Sequence, residues 1–133
     1  MLNKVIIKSL NDLQNPEKID IIHSHFGNWA TYSLGLKNIL NVPLVVTFYG
    51  HDVTMLPKID SNIYANLISA NPTCLAISSD MKKDLLQLGF SDVRVWHLGV
   101  DLDFFKPKEN NKKSFKSFLI ISRFEEKKGI EYA

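Results

Sequence analysis

The sequence predicts an α/β fold, a Rossmann-like parallel sheet with flanking helices. Short apolar runs alternate with segments of helical spacing, and the connections between them are short. One run, PLVVTFYG at residues 43–50, is apolar and rich in β-branched side chains, which is typical of a parallel strand covered on both faces. This alternation of strand and helix predicts a doubly wound sheet.

The predicted elements follow in order along the chain. Strands are expected in IDIIHSHF, PLVVTFYG, TCLAIS and VRVWHLG. A first helix is expected over residues 3–13, a second in WATYSLGLKNIL, a third around residues 61–70 and a fourth in DMKKDLLQLG. The second helix is expected to turn Ala30, Leu34, Ile39 and Leu40 towards the core. A loop containing Pro57 is expected to precede the third helix.

The amino-acid composition changes after residue 105. The stretch KPKENNKKSFKS, residues 106–117, is rich in Lys and Asn and predicts a solvated linker. FLIISRF then predicts a new strand, and EEKKGIEYA the beginning of a helix. We therefore expect one domain over residues 1–105, the linker over 106–117, and an incomplete second domain over 118–133. Sheet edges left exposed by truncation would lower solubility.

Composition narrows the functional classes. The chain has 133 residues, 45% of them hydrophobic, and a formal net charge of +2. This small surplus does not indicate nucleic-acid binding. The lone Cys74 lies in the apolar run CLAIS, so we expect a buried thiol in a reducing cytoplasm. The sequence shows neither a signal peptide nor the run of about 20 apolar residues that crosses a membrane.

Polar and glycine residues follow each of the four predicted strands. Ligand sites in parallel sheets lie outside the carboxyl ends of the strands. This rule selects as candidates His23, His25, Gly27, Gly50, His51, Asp52, Ser78, Ser79, Gly99, Val100 and Asp101.

Five segments carry a resemblance to a known family: IIHSHFG, VPLVVTFYGHD, AISSDMKKDLLQLGF, VWHLGVDLDFFKP and ISRFEEKKGIEYA. In this order they resemble family 4 glycosyltransferases, which are retaining enzymes with the two-lobed GT-B fold. The resemblance implies that residues 1–105 are the C-terminal part of the acceptor lobe and that residues 118–133 begin the donor-binding lobe. The family's opening βαβ unit and its paired glutamates are missing, so we expect a chain truncated at both ends.

The resemblance also implies roles for three residues. Arg123 and Lys128 would bind the donor diphosphate at the start of a helix, where anions are favoured; the alternative is a solvated surface turn. His51 would be catalytic, beside the transferred sugar; the alternative is an ordinary loop histidine. Asp52 would cap the next turn or orient His51, and Gly50 would allow a sharp turn and close approach to a ligand.

The remaining candidates are less specific. His25 and Gly27 are expected on the acceptor side, with Gly27 making room for the acceptor, whereas His23 is expected to be structural. The two histidines with His51 and Asp52 would make a sparse zinc site, so we expect no metal. Ser78, Ser79 or Asp80 is expected to cap the helix that follows, and Ser78 or Ser79 is expected to contact the acceptor only second. Gly99 and Asp101 are expected at the interdomain hinge, and Trp96 in core or interface packing.

The expected function is transfer of a hexose from a nucleotide-diphosphate donor to a glycan or lipid-linked acceptor. Surface polysaccharide or lipopolysaccharide assembly is the expected setting, in the cytoplasm with peripheral association at the membrane face. No cofactor and no nucleic acid are expected. Two alternatives stay open: an inactive remnant or partner-completed binding module, and a GT-B sugar-nucleotide epimerase.

Overall fold

The computed structural model of the protein describes residues 19–106 and 118–132. The chain divides into two compact units, Met1–Gly99 and Val100–Ala133. The helix expected over residues 3–13 and the linker residues 107–117 lie outside the described residues.

The first unit contains a four-stranded sheet in the order β1-β2-β3-β4. Its strands are β1 (Ile22–His25), β2 (Leu44–Phe48), β3 (Thr73–Ala76) and β4 (Val93–Val95). All neighbouring pairs are parallel, and the register places His25 beside Thr47 and Thr47 beside Leu75. Parallel neighbours require crossovers, which the helices supply. The predicted α/β, Rossmann-like fold class is therefore confirmed.

Within residues 19–106, five helices connect or follow the strands: α1 (Gly27–Leu40), α2 (His51–Thr54), α3 (Leu56–Ile59), α4 (Ala65–Ser69) and α5 (Ser79–Gln87). The prediction of a loop around Pro57 was wrong, because the short helices α2 and α3 form in that region. Pro57 lies in the first turn of α3, where its missing N–H leaves no hydrogen bond unmade. Ile39 was also expected in the core, but it is 50% exposed.

The core is built from alternate residues of the central strands. Leu44, Val46 and Phe48 of β2 are buried together with Cys74 and Ala76 of β3. The helices and the loops beside them add Ala30, Val53, Tyr64, Leu67, Met81, Leu85 and Phe90 to the same cluster. Because successive strand residues point to opposite faces, this cluster covers one face of the sheet.

Cys74 is fully buried in this core. Burial, with a smaller contribution from the charge of Asp92, raises the pKa of its thiol to about 12. A thiol with such a pKa stays protonated at neutral pH and is a poor nucleophile. The expected burial of this thiol is therefore confirmed.

The second unit departs from the prediction. Residues 118–124 form no strand, and their large apolar side chains are exposed, Phe118 by 91% and Ile121 by 87%. A strand needs a hydrogen-bonded neighbour, and the described residues of this unit contain none. The helix expected in EEKKGIEYA is replaced by two three-residue 3₁₀ turns, Glu126–Lys128 and Ile130–Tyr132. Gly129 separates them with a left-handed φ of 58°.

Candidate functional site

The carboxyl ends of β1 and β2 are joined directly. The N–H of Phe26, just after β1, donates to the carbonyl of Thr47 over 2.8 Å. Phe26 takes this position with a φ of 67°, which is uncommon for any residue other than glycine. Strain of this kind persists only where surrounding contacts hold it. The residues around Phe26 gave no indication in the sequence that its φ would be positive.

Asp52 provides those contacts from the neighbouring turn. Its carboxylate accepts hydrogen bonds from the backbone N–H groups of Gly27, Tyr49 and Gly50, over 2.9–3.0 Å. Its own carbonyl accepts from the Tyr64 hydroxyl over 2.6 Å. Burial and the nearby charge of Asp52 raise the pKa of Tyr64, so this hydroxyl remains a donor.

Asp52 is therefore a structural residue at the edge of the site. Only 1% of its surface is exposed, and its carboxylate reaches back to the start of α1. Among the described residues no hydrogen bond joins its carboxylate to the His51 side chain, so the cap is the one observed of the two roles expected for Asp52. It does cap the turn that begins α2, as the sequence suggested.

Two glycines flank this carboxylate for different reasons. A side chain at Gly27 would place its Cβ 2.3 Å from Phe48 Cε1 and 2.9 Å from the Tyr64 ring. The space at Gly27 was expected to admit an acceptor, but buried aromatic rings occupy it instead. Gly50 has a φ of 141°, and no atom outside its immediate neighbours lies within 4 Å of its Cβ position. Gly50 thus supplies the sharp turn that was expected.

His51 follows that turn as the first residue of α2, and its side chain is exposed. Its carbonyl accepts from the N–H of Met55 over 3.0 Å, which holds its backbone. Within residues 19–106 and 118–132 no protein group hydrogen-bonds its imidazole. The structure places this imidazole at the carboxyl edge of the sheet; its catalytic role stays a prediction.

His23 and His25 lie on β1 with both rings on one face, their centroids 4.5 Å apart. His23 Nε2 bonds Thr47 Oγ1 over 2.8 Å, and His25 Nδ1 bonds the Tyr49 hydroxyl over 2.5 Å. Burial, and then the neighbouring His25, lower the pKa of His23. The sequence reasoning missed Tyr49, although its place before Gly50 at a strand end was a usable signal.

These side chains line a pocket of about 180 Å³ on the sheet face opposite the core. Its lining consists of His23, His25, Thr47, Tyr49, Leu75, Trp96 and Leu98. The strand residues among them alternate with the core residues, as the two-residue period of a strand requires. Trp96 was expected in core or interface packing; 63% of its surface is exposed, so it is not a core residue.

Ser78 follows β3 by two residues and caps α5. Its Oγ accepts from the N–H of Met81 over 3.1 Å, which confirms the expected cap. Gly99 is the last residue of the first unit. Asp101, in the second unit, accepts from the N–H groups of Asp103 and Phe104 and so stabilises a turn. The hinge role of Gly99 and Asp101 stays a prediction.

Arg123 and Lys128 are on the second unit. Arg123 pairs with Glu125 over 2.9 Å, and Lys127 pairs with the same carboxylate over 3.3 Å. Lys128 ends a three-residue 3₁₀ turn. The expected helix N-terminus is therefore absent from the described residues, because Gly129 ends the turn after Lys128.

The described residues contain no group of three or more His, Cys, Asp or Glu side chains arranged to hold a metal ion. None of the helices within the described ranges has the length and apolar character that crossing a membrane requires.

Comparison with known proteins identifies the family. A protein-family model described as Glycosyltransferase Family 4 matches residues 4–104. The comparison with curated proteins returned no match. The matched region includes all four strands and the cluster around Asp52. Since the match covers more than half of the chain, the protein belongs to glycosyltransferase family 4.

Proposed function

We propose that the chain serves the transfer of a sugar from a nucleotide-diphosphate donor to a glycan or lipid-linked acceptor. The transfer retains anomeric configuration, within a GT-B architecture, and the setting is surface polysaccharide or lipopolysaccharide assembly at the cytoplasmic face of the membrane. Family membership supports sugar transfer in general. The observation that carries the proposal furthest is the exposed His51 imidazole on a fixed turn at the carboxyl edge of a parallel sheet.

Recognition at this edge would rely on side chains. The N–H groups of Gly27, Tyr49 and Gly50, which would otherwise point to an anion, are all bonded to Asp52. His51 is the exposed polar side chain next to them. Its imidazole would hydrogen-bond the donor sugar or transfer a proton to the departing phosphate, since histidine is the side chain that most often serves as a general acid or base.

Arg123 and Lys128 would supply positive charge to the diphosphate. Cations beside a leaving group stabilise the charge that develops as the glycosidic bond breaks. Arg123 would exchange its exposed partner Glu125 for the diphosphate, which is a small cost because exposed ion pairs contribute little. With two side-chain cations in this role, the proposed transfer needs no metal cofactor.

A transfer assay tests the proposal. The purified chain would be given radiolabelled UDP-, GDP- and ADP-hexoses together with a membrane extract as acceptor, and the anomeric configuration of the product would be determined by NMR. We expect retention, and a loss of about 100-fold or more in His51→Ala. His97→Ala is the matched control, because His97 is also an exposed histidine after a strand.

The assay also separates the alternatives. If the folded chain transfers no sugar from any donor, an inactive remnant or a partner-completed binding module is the better description. Turnover of His51→Ala within about twofold of the parent would remove His51 from the mechanism while leaving sugar transfer intact. Arg123→Ala and Lys128→Ala are expected to weaken donor binding in the same assay.

A further inference from the structure

We propose that the outward face of α1 docks the protein onto the surface of a lipid bilayer. This inference deepens the proposed function, which places sugar transfer at a membrane face but names no surface that contacts the membrane. The side chains concerned form an outer stripe on α1, which consists of Trp29, Tyr32, Leu36 and Ile39. None of them lines the pocket on the sheet face opposite the core.

The outer stripe follows from the helical repeat. Its four members are spaced by three, four and three residues, so they lie along one face of the helix. The residues that α1 turns to the core are Gly27, Ala30 and Leu34, which lie on the other side of the helix. A helix on a protein surface usually carries polar side chains opposite its core-facing residues. α1 departs from this pattern, because it is apolar on both sides.

The outer stripe is open to solvent. Trp29 and Tyr32 are each more than half exposed, Ile39 is half exposed, and Leu36 is half-buried. The rings of Trp29 and Tyr32 are neighbours, with centroids 5.8 Å apart. Phe26, just before the helix, adds a further exposed ring. Adjacent exposed side chains that are large and apolar mark a contact surface.

The described elements around the stripe present no exposed carboxylate. α1 contains no Asp or Glu, and its one charged residue is Lys37. The elements that pack against α1 are β1, β2, α2 and α4. Their single acid is Asp52, which is buried and bonded to backbone N–H groups. α5, by contrast, carries two Asp and two Lys within residues 80–84, which is typical of a solvated helix. A lipid headgroup, neutral or anionic, would thus meet no repelling charge on α1.

The chemistry and the size of the stripe favour a bilayer over a protein partner. Trp and Tyr combine an apolar body with a polar tip, and they are enriched where a membrane meets water. The stripe spans about 15 Å along the helix axis. It has four residues, whereas each side of a stable protein–protein interface contributes roughly 20–30. A bilayer requires no matched surface, and α1 would lie in the plane of its interface.

This docking would bring the candidate site to the membrane. α1 begins two residues after β1, at the carboxyl edge of the sheet, and packs against α2, whose first residue is His51. Trp29, the first member of the stripe, therefore lies near the edge of the sheet that carries His51. An acceptor anchored in the bilayer would be held close to that edge.

The two tryptophans make the test direct, because Trp29 is on α1 and Trp96 lines the pocket on the other sheet face. Trp96→Phe leaves Trp29 as the sole indole, and Trp29→Phe leaves Trp96. Both variants of the whole chain would be titrated with phosphatidylcholine vesicles, with and without phosphatidylglycerol, in the absence of any sugar donor. Tryptophan emission shifts to the blue when an indole enters a bilayer, and brominated lipids quench it there.

We expect a saturable blue shift and quenching by brominated lipid in Trp96→Phe, and neither in Trp29→Phe. In the Trp96→Phe background, Tyr32→Gln with Ile39→Gln should weaken vesicle binding about tenfold or more, because two apolar side chains no longer leave water. Leu86→Gln is the matched control: Leu86 is also apolar and exposed, but it lies on α5. This control should leave vesicle binding unchanged. Circular dichroism would verify that each variant is folded.

Three outcomes would overturn the proposal. One is no blue shift of folded Trp96→Phe up to about 5 mM lipid, about fifty times the concentration that half-saturates a single acyl anchor. Binding to native membranes without binding to these protein-free vesicles would then assign the stripe to a membrane protein. Another is an equal loss of binding in Leu86→Gln. The third is a blue shift that rises with protein concentration and needs no lipid, which would make a second copy of the chain the occupant.

The failure of this proposal is distinguishable from the failure of the proposed function. Sugar transfer without vesicle binding would refute the docking surface and leave the proposed function intact. Vesicle binding without transfer would support the docking surface and count against the enzyme.

Discussion

Asp52 joins two loops that are far apart in the sequence. Its carboxylate accepts from Gly27 at the start of α1 and from Tyr49 and Gly50 after β2. A buried carboxylate is tolerated when backbone N–H groups satisfy it, and here three of them do. The side chain thereby fixes the backbone on both sides of the candidate site.

Asp52→Ala is expected to lower the free energy of unfolding by at least about 3 kcal/mol, because one buried and two partly buried N–H groups would lose their acceptor. Urea denaturation followed by circular dichroism measures this. Asp60→Ala is the matched control: its exposed carboxylate accepts one backbone N–H, from Asn62, and its loss should cost less than about 1 kcal/mol. Equal effects of the two substitutions would contradict the role assigned to Asp52.

The two neighbours His51 and Asp52 show what the sequence could predict at this scale. The apolar run ending in Gly50 correctly predicted a strand followed by a turn with polar residues. It could not show that His51 is exposed and Asp52 buried, because the partner of Asp52, Gly27, lies 25 residues earlier. That contact depends on the parallel register of β1 and β2, which a single sequence does not specify.

At the scale of elements, α1 packs closely against the sheet at its first residue. Gly27 is buried, and the rings of Phe48 and Tyr64 occupy the volume a side chain would need. These rings also contact Phe90, so the start of α1 rests on an aromatic cluster with centroid separations of 5.3–5.9 Å. The start of α1 can therefore lie this close to the two rings only because Gly27 has no side chain.

Gly27→Ala is expected to destabilise the protein by about 1–3 kcal/mol, through overpacking against Phe48 and Tyr64. Alanine is favoured over glycine in helices by at most about 1 kcal/mol, so the clash should prevail. Thermal unfolding would measure the change. Gly99→Ala is the control, because no atom lies within 4 Å of its Cβ position.

A second substitution makes the test specific. Phe48→Leu should cost less in the Gly27→Ala background than in the parent, since it removes the ring that the new methyl group meets. Strict additivity of the two substitutions would show that the clash is relieved elsewhere.

The elements of the first unit were largely predictable, and those of the second were not. All four predicted strands of the first unit occur, because their apolar runs are buried in a sheet whose members lie within the described chain. Residues 118–124 have the same apolar, β-branched character but find no neighbouring strand there. Strand propensity describes fit to a sheet surface, so it fails where no sheet is present.

At the scale of the whole molecule, the two units differ in burial. The first has a closed apolar cluster. In the second, Phe118, Leu119, Ile121 and Phe124 are each more than 80% exposed. Residues 118–122 carry no charge and have high strand propensity, and exposed side chains in such a segment favour pairing between chains.

We therefore expect the purified protein to self-associate at micromolar concentration, and Leu119→Lys with Ile121→Lys to shift it towards monomer. Sedimentation velocity over a range of concentrations measures this. Ile59→Lys is the matched control: Ile59 is 76% exposed but belongs to the first unit. A parent chain that stays monomeric, or an equal effect of Ile59→Lys, would contradict self-association through residues 118–124.

The bonds around Asp52 have a consequence for how a ligand is received. Phe26 is held at an unfavourable φ, and the turns after β1 and β2 share one buried acceptor, so folding has already ordered this edge of the sheet. A ligand arriving here meets a preorganised surface and loses little affinity to the ordering of the backbone. Selectivity then depends on the few exposed side chains, and the loops that carry them would keep one shape whether empty or filled.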